Sequence, residues 1–416
     1  MPDSQTMHYT LTLNTTRTRP LPSDFDDTDL CVLCGMCTPH CPTYGIYQIE
    51  AESPRGRITI IQALANNQLK ADDKTLNHLN HCLGCRACEA ICPSNVPFMD
   101  LMDKARQLTD AKHKKPAMIS RLLDATMQAG GLHRHQNILN FVNKSGLPAL
   151  FSLLPGSAKS SITKSVSFIA HSQTQKFKDY YAAKNKERGS VLLFTGCMGP
   201  SFNSDTIQSG IKLLTHFGFN VHIPMEQHCC GALHQHNGQM HRAEDLAQKN
   251  SAIFQPYNVD AILHIDSGCG SQLARQQAGV PFYNINQFIL EHIKPQPGDF
   301  NACARTVFLH ESCSLRNALK LPGLTLNLLN LIPELCIQAM DNPATCCGAG
   351  GSNLLEYPEL ADNLLSQKLT GLDSSNINQL VSDNIGCSLH FKSGLKHRRI
   401  KLDVIHPVTL LASQLK

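Results

Sequence analysis

"HCCGALH", residues 228–234, and "TCCGAGG", residues 345–351, set two adjacent cysteines before a glycine twice in one chain, 117 residues apart. A disulfide between sequence neighbours is strained, so each doublet points to a shared inorganic partner. Working outward, four cysteines recur in order: Cys197, Cys229, Cys230 and Cys269, then Cys313, Cys346, Cys347 and Cys387, at offsets of 116, 117, 117 and 118 residues. The flanking patterns repeat as well. SVLLFTGC and DAILHIDSGC read as buried strands ending in a cysteine, with helical stretches on either side of the CCG loop; TVFLHESC and QLVSDNIGC take the same places in the second copy. After the second doublet, Leu360, Leu364, Leu365 and Leu369 share one helix face, which Pro358 starts and Gly371 stops. Strands alternating with helices imply a parallel sheet. Ligands then gather at the carboxyl ends of the strands, where Cys197, Cys269, Cys313 and Cys387 fall. A turn bearing two thiols can face one side of a metal cluster, with Gly231 or Gly348 keeping the backbone clear. Three chemistries fit each module: an iron-sulfur cluster, a structural remnant or zinc ion, and redox-active thiols.

Nearer the start, CVLCGMCTPHCP from residue 31 and CLGCRACEAICP from residue 82 share the CxxCxxCxxxCP spacing of two-cluster ferredoxins. The three close thiolates wrap one corner of a [4Fe-4S] cube, and the fourth lies far enough along to reach the other cube. By that rule Cys31, Cys34, Cys37 and Cys92 hold one cluster, and Cys82, Cys85, Cys88 and Cys41 the second. Gly35 and Gly84 let backbone amides approach the sulfides, and Pro42 and Pro93 stiffen the exits. Structural zinc is the alternative, but it leaves the third cysteine and the closing CP of each quartet unexplained. Between the quartets lie 40 residues, including SPRGRITIIQALANN. Here Ser53 can cap a helix, Pro54 fits its first turn, and Ile58, Ile61 and Leu64 form an apolar face. So long an insertion points to a helical variety of ferredoxin.

The chain has 416 residues, 18 Cys and a formal charge of +4. Such a length buries its cores without disulfides, and residues 1–25 hold no apolar run of signal-peptide length, so the thiols are expected to be reduced, cytoplasmic and held by metal. No apolar run reaches the roughly 20 residues that span a bilayer, which leaves a peripheral place on the inner face of the cytoplasmic membrane open. The mild charge gives no reason for a nucleic-acid partner. KHKK at 112–115 and KHRRIK at 396–401 read as solvated faces, with attraction to an anionic membrane or partner as the alternative. The expected architecture is mixed α+β: an N-terminal extension (1–25), a helical two-cluster ferredoxin domain (26–110), a helical connector (111–188), and two duplicated α/β cysteine-rich modules (189–298 and 299–416). Within the connector Ile119, Leu122 and Leu123, then Ile138, Leu139 and Val142, recur at helical spacing. His40, His228, His234, His310 and His390 lie near cysteines; His228 and His310 are the favoured candidates to stand behind a cluster. Cys303 and Cys336 fall outside both repeats and read as simple thiols. Arg55 and Arg57 either steer an acidic partner or begin a solvated helix. No GxGxxG follows a predicted strand, so a flavin or nicotinamide is expected on another chain and no catalytic residue is assigned here.

Paired quartets followed by two CCG modules resemble the iron-sulfur subunits of bacterial glycolate oxidase over nearly the whole chain. The specific matches are CPTYGIYQIEAESPRGRI, CCGAGGSNLLEYPELADNLLSQKL and SDNIGCSLHFKSG. The modules are also similar to those of the heterodisulfide reductase B subunit, which hold non-cubane [4Fe-4S] clusters. The resemblance implies an electron relay: an FAD-containing partner oxidises glycolate or another 2-hydroxy acid, and this chain passes the electrons to a quinone-type acceptor at the membrane. Alternatives are the iron-sulfur subunit of a D-lactate or glycerol 3-phosphate dehydrogenase, and a thiol/disulfide oxidoreductase. The implied cofactors are two [4Fe-4S] clusters, with one further cluster per CCG module left open. This sequence departs from the pattern in two places. The heterodisulfide reductase pattern closes each module with CxxC, whereas Asp266 and Asn384 stand at that first position here, leaving four thiolates instead of five. HESC also replaces HxPC, keeping His310 without the proline.

Overall fold

The computed structural model describes residues 22–110, 120–121, 124–125, 127, 175–275, 279–340, 346–370, 372 and 377–416. The periodic residues expected between 119 and 142, apart from their immediate neighbours, and the helix stop at Gly371 lie outside these.

Every regular element described between residues 22 and 110 is helical. Ser53 Oγ accepts from the Gly56 amide at 3.0 Å and so caps helix Pro54–Ala65. That helix buries Ile58, Ile61 and Leu64 against Met99, Leu101 and Met102 of helix Phe98–Thr109, and Cys82 belongs to the same apolar core. Arg57 points inward and is 1% exposed, because Glu52 awaits it there: Nη2 lies 2.6 Å from Glu52 Oε2. The steering role weighed for Arg57 is therefore closed off by burial. Arg55 stays at the surface, pairing with Glu50 and donating to the Leu33 carbonyl at 3.0 Å.

Two sheets follow. Strands β1 (Tyr180–Tyr181), β2 (Gly189–Phe194), β3 (Phe219–His222), β4 (Ala261–His264) and β5 (Phe282–Asn284) form a sheet in the order β1-β3-β2-β4-β5. Strands β6 (Thr306–His310), β7 (Cys336–Ala339), β8 (Gln379–Ser382) and β9 (Asp403–Ile405) form a second in the order β7-β6-β8-β9. Apart from the antiparallel edge strand β1, all pairings are parallel, and β3-β2-β4-β5 repeats the order of the second sheet. The central strands are buried along both faces, as Val191, Leu192, Leu193 and Phe194 show, which is what helices on both sides of a parallel sheet require. One core joins the sheets: the last helix, Pro407–Ser413, buries Val408 and Leu411 among Ile207, Leu214 and Val307.

The helical part docks on the first sheet's side through Asp103, which is 1% exposed. Its carboxylate accepts from Gln235 Nε2 at 2.7 Å and Arg275 Nη1 at 3.3 Å, and lies 3.6 Å from His236 Nδ1. Arg275 also pairs with Asp100. Burial would raise the Asp103 carboxyl, but His236 and the charges of Arg275 and Arg106 outweigh it and hold the group at about 2, below the ordinary 3.8. A depressed carboxylate stabilises fully above its unfolded value and loses that contribution as pH falls through the folded one. Acidifying from about pH 4 to pH 2 is therefore expected to remove roughly 2 kcal/mol from this docking. Asp103→Asn, which removes the buried charge facing His236 and Arg275 but leaves Arg275 its pair with Asp100, is expected to cost about 2 kcal/mol at neutral pH and to flatten that acid dependence. Denaturant unfolding at several pH values checks both; an Asp103→Asn variant with the parent's midpoint would refute them.

Candidate metal centres

The cysteines of the first two quartets line two neighbouring hollows. Cys31, Cys34, Cys37 and Cys92 line one hollow with Ile58 and Phe98, while Cys41, Cys82, Cys85 and Cys88 line a second with Arg57 and Met99. Cys88 borders both. None of the eighteen cysteines is joined in a disulfide, and burial pushes the thiols of Cys85 and Cys88 well above the ordinary range. A metal that binds there must displace the protons. At least four sulfur donors border each hollow, enough in number and of the type to hold an iron-sulfur cube. Arg57 Nη1 lies 3.8 Å from Cys41 Sγ and offers a compensating charge.

Each CCG doublet sits on a turn that only glycine permits. Gly231 and Gly348 have φ of +87° and +90°, and a side chain there would press on Ala243 of helix Met240–Phe254 and Ala361 of helix Pro358–Lys368, the nearest atom in the second case at 2.6 Å. Their amides face sulfur alike, Gly231 N to Cys229 Sγ at 3.5 Å and Gly348 N to Cys346 Sγ at 3.4 Å. Asn250, fully buried, pins the first doublet by accepting from His228 N and donating to the Cys229 carbonyl. Lys368 stands 118 residues later, at the matching helix position, and is 2% exposed. Burial lowers its proton affinity, against the pull of Cys347, Cys346 and Cys387.

The remaining cysteines fall just beyond the strands. Cys269 and Cys387 lie in the first turns of helices Ser267–Leu273 and Ile385–His397 and do not end β4 and β8 themselves. The cause is Asp266 and Asn384: Oδ1 of each accepts from the amide of Cys269 or Cys387 at 3.0 Å, an N-cap that starts the helix early. Asp266 and Asn384 thus each position the cysteine that follows. They also join the modules, since Asp266 Oδ2 accepts from Ile385 N at 2.5 Å and Asn384 Nδ2 donates to Ser267 Oγ at 3.3 Å. Ser267, Ser312 and Asp383 extend this buried network, with Asp383 pushed up by burial to about 6. Between the modules opens a cleft of about 240 Å³ bordered by Cys197, Cys269, Cys313 and Cys387.

The second quartet reaches this assembly directly. Leu83 and Cys85 pack with Cys313, Cys346 and Leu364 in one small core, and Asn317 Nδ2 donates to the Cys85 carbonyl at 2.7 Å. Gly350 lies so close to Leu83 that an added Cβ would fall 2.5 Å from its carbonyl oxygen.

The histidines separate in their contacts. His228 turns its ring to the Met127 carbonyl at 3.3 Å, His234 bonds Gln239 at 2.9 Å, and His390 reaches the Ala361 carbonyl at 3.1 Å. His40 is exposed. His310 is 2% exposed and lies with Cys347 and Cys387 so that their ligand atoms are within 4.8 Å of one another. Burial, with Lys368 and Arg316 adding to it, pushes its proton affinity well down. Cys347 and Cys387 sulfurs are 2.9 Å apart. Cys303 is buried and Cys336 exposed, both away from these groups.

Comparison with known proteins finds two kinds of cysteine-bearing domain. A 4Fe-4S dicluster domain matches residues 27–96, and a cysteine-rich domain (CCG) matches twice, at 191–274 and 307–392. The chain is similar to the probable glycolate oxidase iron-sulfur subunit of Bacillus subtilis strain 168, at 28% identity over 92% of each chain. It is similar to the glycolate oxidase iron-sulfur subunit of Escherichia coli K12 at 29% identity, covering 87% of this chain and 89% of that one. One subunit of the CoM/CoB fumarate reductase of Methanothermobacter marburgensis is 25% identical over 90% of this chain and 70% of its own. Among solved structures, glutamate racemase RacE1 from Bacillus anthracis covers 55% of the chain and 80% of its own at 13% identity, with a TM-score of 0.26, too loose to bear on the fold.

Proposed function

We propose that this chain is the iron-sulfur relay of an oxidoreductase complex in which an FAD-containing partner oxidises glycolate or another 2-hydroxy acid and a quinone-type acceptor receives the electrons. Bound [4Fe-4S] clusters take up and release one electron at a time. Residues 26–110 act as a helical two-cluster ferredoxin domain, with Cys31, Cys34, Cys37 and Cys92 holding one cube and Cys82, Cys85, Cys88 and Cys41 the other. Residues 189–298 and 299–416 act as duplicated modules in which Cys197, Cys229, Cys230 and Cys269, and Cys313, Cys346, Cys347 and Cys387, each hold a further centre.

The observation that carries this reading is the packing of Cys85 against Cys313 and Cys346. Sulfur groups from the ferredoxin part and the second module share one dry core there, which excludes water from the path between them. At the opposite end the first quartet is the more open: Cys34 is exposed, and Val32, Leu33 and Met36 around it are at least half exposed. Electrons then enter at the first quartet, cross to the second, and leave through the modules. The names of the relatives support glycolate as the partner's substrate, and no helix among the described residues is long and apolar enough to cross a membrane. A cytoplasmic chain that touches the membrane acceptor peripherally fits this.

Anaerobic iron and acid-labile sulfide analysis is expected to give at least about eight of each per chain, since each cube holds four. Glycolate oxidation is expected only when the flavoprotein is added; oxidation by this chain alone would overturn the relay. A second reading, thiol and disulfide chemistry, draws on the cleft where cysteines of both modules face one another. It requires disulfide turnover that Cys347→Ser abolishes, and unchanged turnover in that variant removes it.

A further inference from the structure

We propose that His310 is a nitrogen ligand of the metal centre in the second cysteine-rich module, so that this centre has a mixed imidazole and thiolate donor set while that of the first is sulfur only. The inference rests on the relay reading's placement of a centre in that module and deepens it.

Three observations point the same way. Both ring nitrogens of His310 are buried without a hydrogen-bond partner, and the Ser382 hydroxyl on the paired strand is buried and unpartnered as well. Leaving two nitrogens desolvated and unpaired is costly, and the cost is recovered if one of them bonds a metal. Second, among the described residues His310, Cys347 and Cys387 are the one group of three His, Cys or acidic side chains whose ligand atoms all lie within 4.8 Å. Third, the two modules differ at this point. The position matching His310 on β2 is Phe194, which cannot ligate. The first module does carry a buried histidine, His264, on the strand paired with Phe194, but its Nδ1 lies 3.2 Å from the Asp266 carbonyl. A ring that served only to pack against Phe391, its edge-to-face neighbour, needs no nitrogen at all.

Each module offers four thiols in its repeat, and in the second an imidazole stands close enough to two of them to serve as a further donor. A neutral nitrogen in place of an anionic thiolate makes a centre less negative and easier to reduce, as histidine ligation does in Rieske clusters. Lys368, buried beside Cys347 and Cys387, acts in the same direction. Electrons delivered from Cys85 therefore collect in the second module.

The test is electron spin-echo spectroscopy on the full chain, reduced, with its histidines labelled with ¹⁵N, beside a His310→Phe variant carrying the first module's residue. Expected is an imidazole nitrogen coupling in the parent that His310→Phe abolishes, together with a lower reduction potential or loss of that one centre's iron, while the ferredoxin-type signals persist. The labelled parent alone suffices if the variant misfolds. No bonded nitrogen in the parent, or a coupling that survives His310→Phe, overturns the inference and leaves the relay intact. Zinc in the second module whose X-ray absorption shows an imidazole, lost in His310→Phe, supports the ligand and instead counts against iron in that module. Absence of iron from the two N-terminal quartets is the separate result that sinks the relay.

Discussion

Glu52→Gln is expected to destabilise the helical part by about 3–5 kcal/mol, among the largest effects of any single charge change in this chain. Glu52 is 1% exposed and gathers Arg57, His78 and His81 within 2.8 Å. Burial raises its carboxyl, yet the His81 hydrogen bond and the Arg57 charge prevail and keep it ionised below its ordinary range. Without that charge the Arg57 guanidinium is left buried and uncompensated. Arg57 also faces Cys41 Sγ at 3.8 Å, so a guanidinium that shifts once its counter-charge is gone disturbs the second quartet as well. Chemical denaturation of the iron-loaded chain, followed by cluster absorption and circular dichroism, reads both consequences. The exposed pair Arg55–Glu50 is the control: Glu50→Gln is expected to change stability by about 1 kcal/mol or less. Equal midpoints for the two variants would remove the argument.

Cys85→Ser is expected to stop the relay while leaving its entrance working. The thiol belongs to the second quartet and packs on Cys313 and Cys346, so its loss strikes both the cluster and the route out of it. Changes behind a metal ligand commonly cost 10–100-fold; loss of the ligand itself is expected to slow partner-driven acceptor reduction by at least about 100-fold. Chemical reduction of the cluster at Cys31, Cys34, Cys37 and Cys92 should survive, which electron paramagnetic resonance can read. Turnover in Cys85→Ser close to the parent's would mean that electrons leave by another route.

The sequence exposes what depends on local spacing. Ser53, Pro54 and the apolar residues after them announce their helix, and the CxxCxxCxxxCP runs announce two cysteine-lined hollows, because both rest mainly on contacts a few residues apart. What stays hidden depends on distant partners. Nothing near Arg57 says that Glu52 will meet His78 and His81 in the interior, and nothing near Asp103 says that Gln235 and Arg275 will close on it. Some signals were available. Lys368 continues the stripe of Leu360 and Leu364 at four-residue steps, so a charge on the apolar face was visible. Asp266 and Asn384, each three residues before a cysteine, also carry the N-cap pattern that moves Cys269 and Cys387 from strand ends into helices.

Gly350 has a final consequence. Its missing side chain lets one backbone lie on another where an added methyl would meet the carbonyl oxygen of Leu83 at 2.5 Å. Tunnelling falls off exponentially with gap width, so in the proposed relay this bare position would set the spacing between the second quartet and the second module. Gly350→Ala would widen the gap without touching a single sulfur, and throughput would fall while every cofactor remained in place.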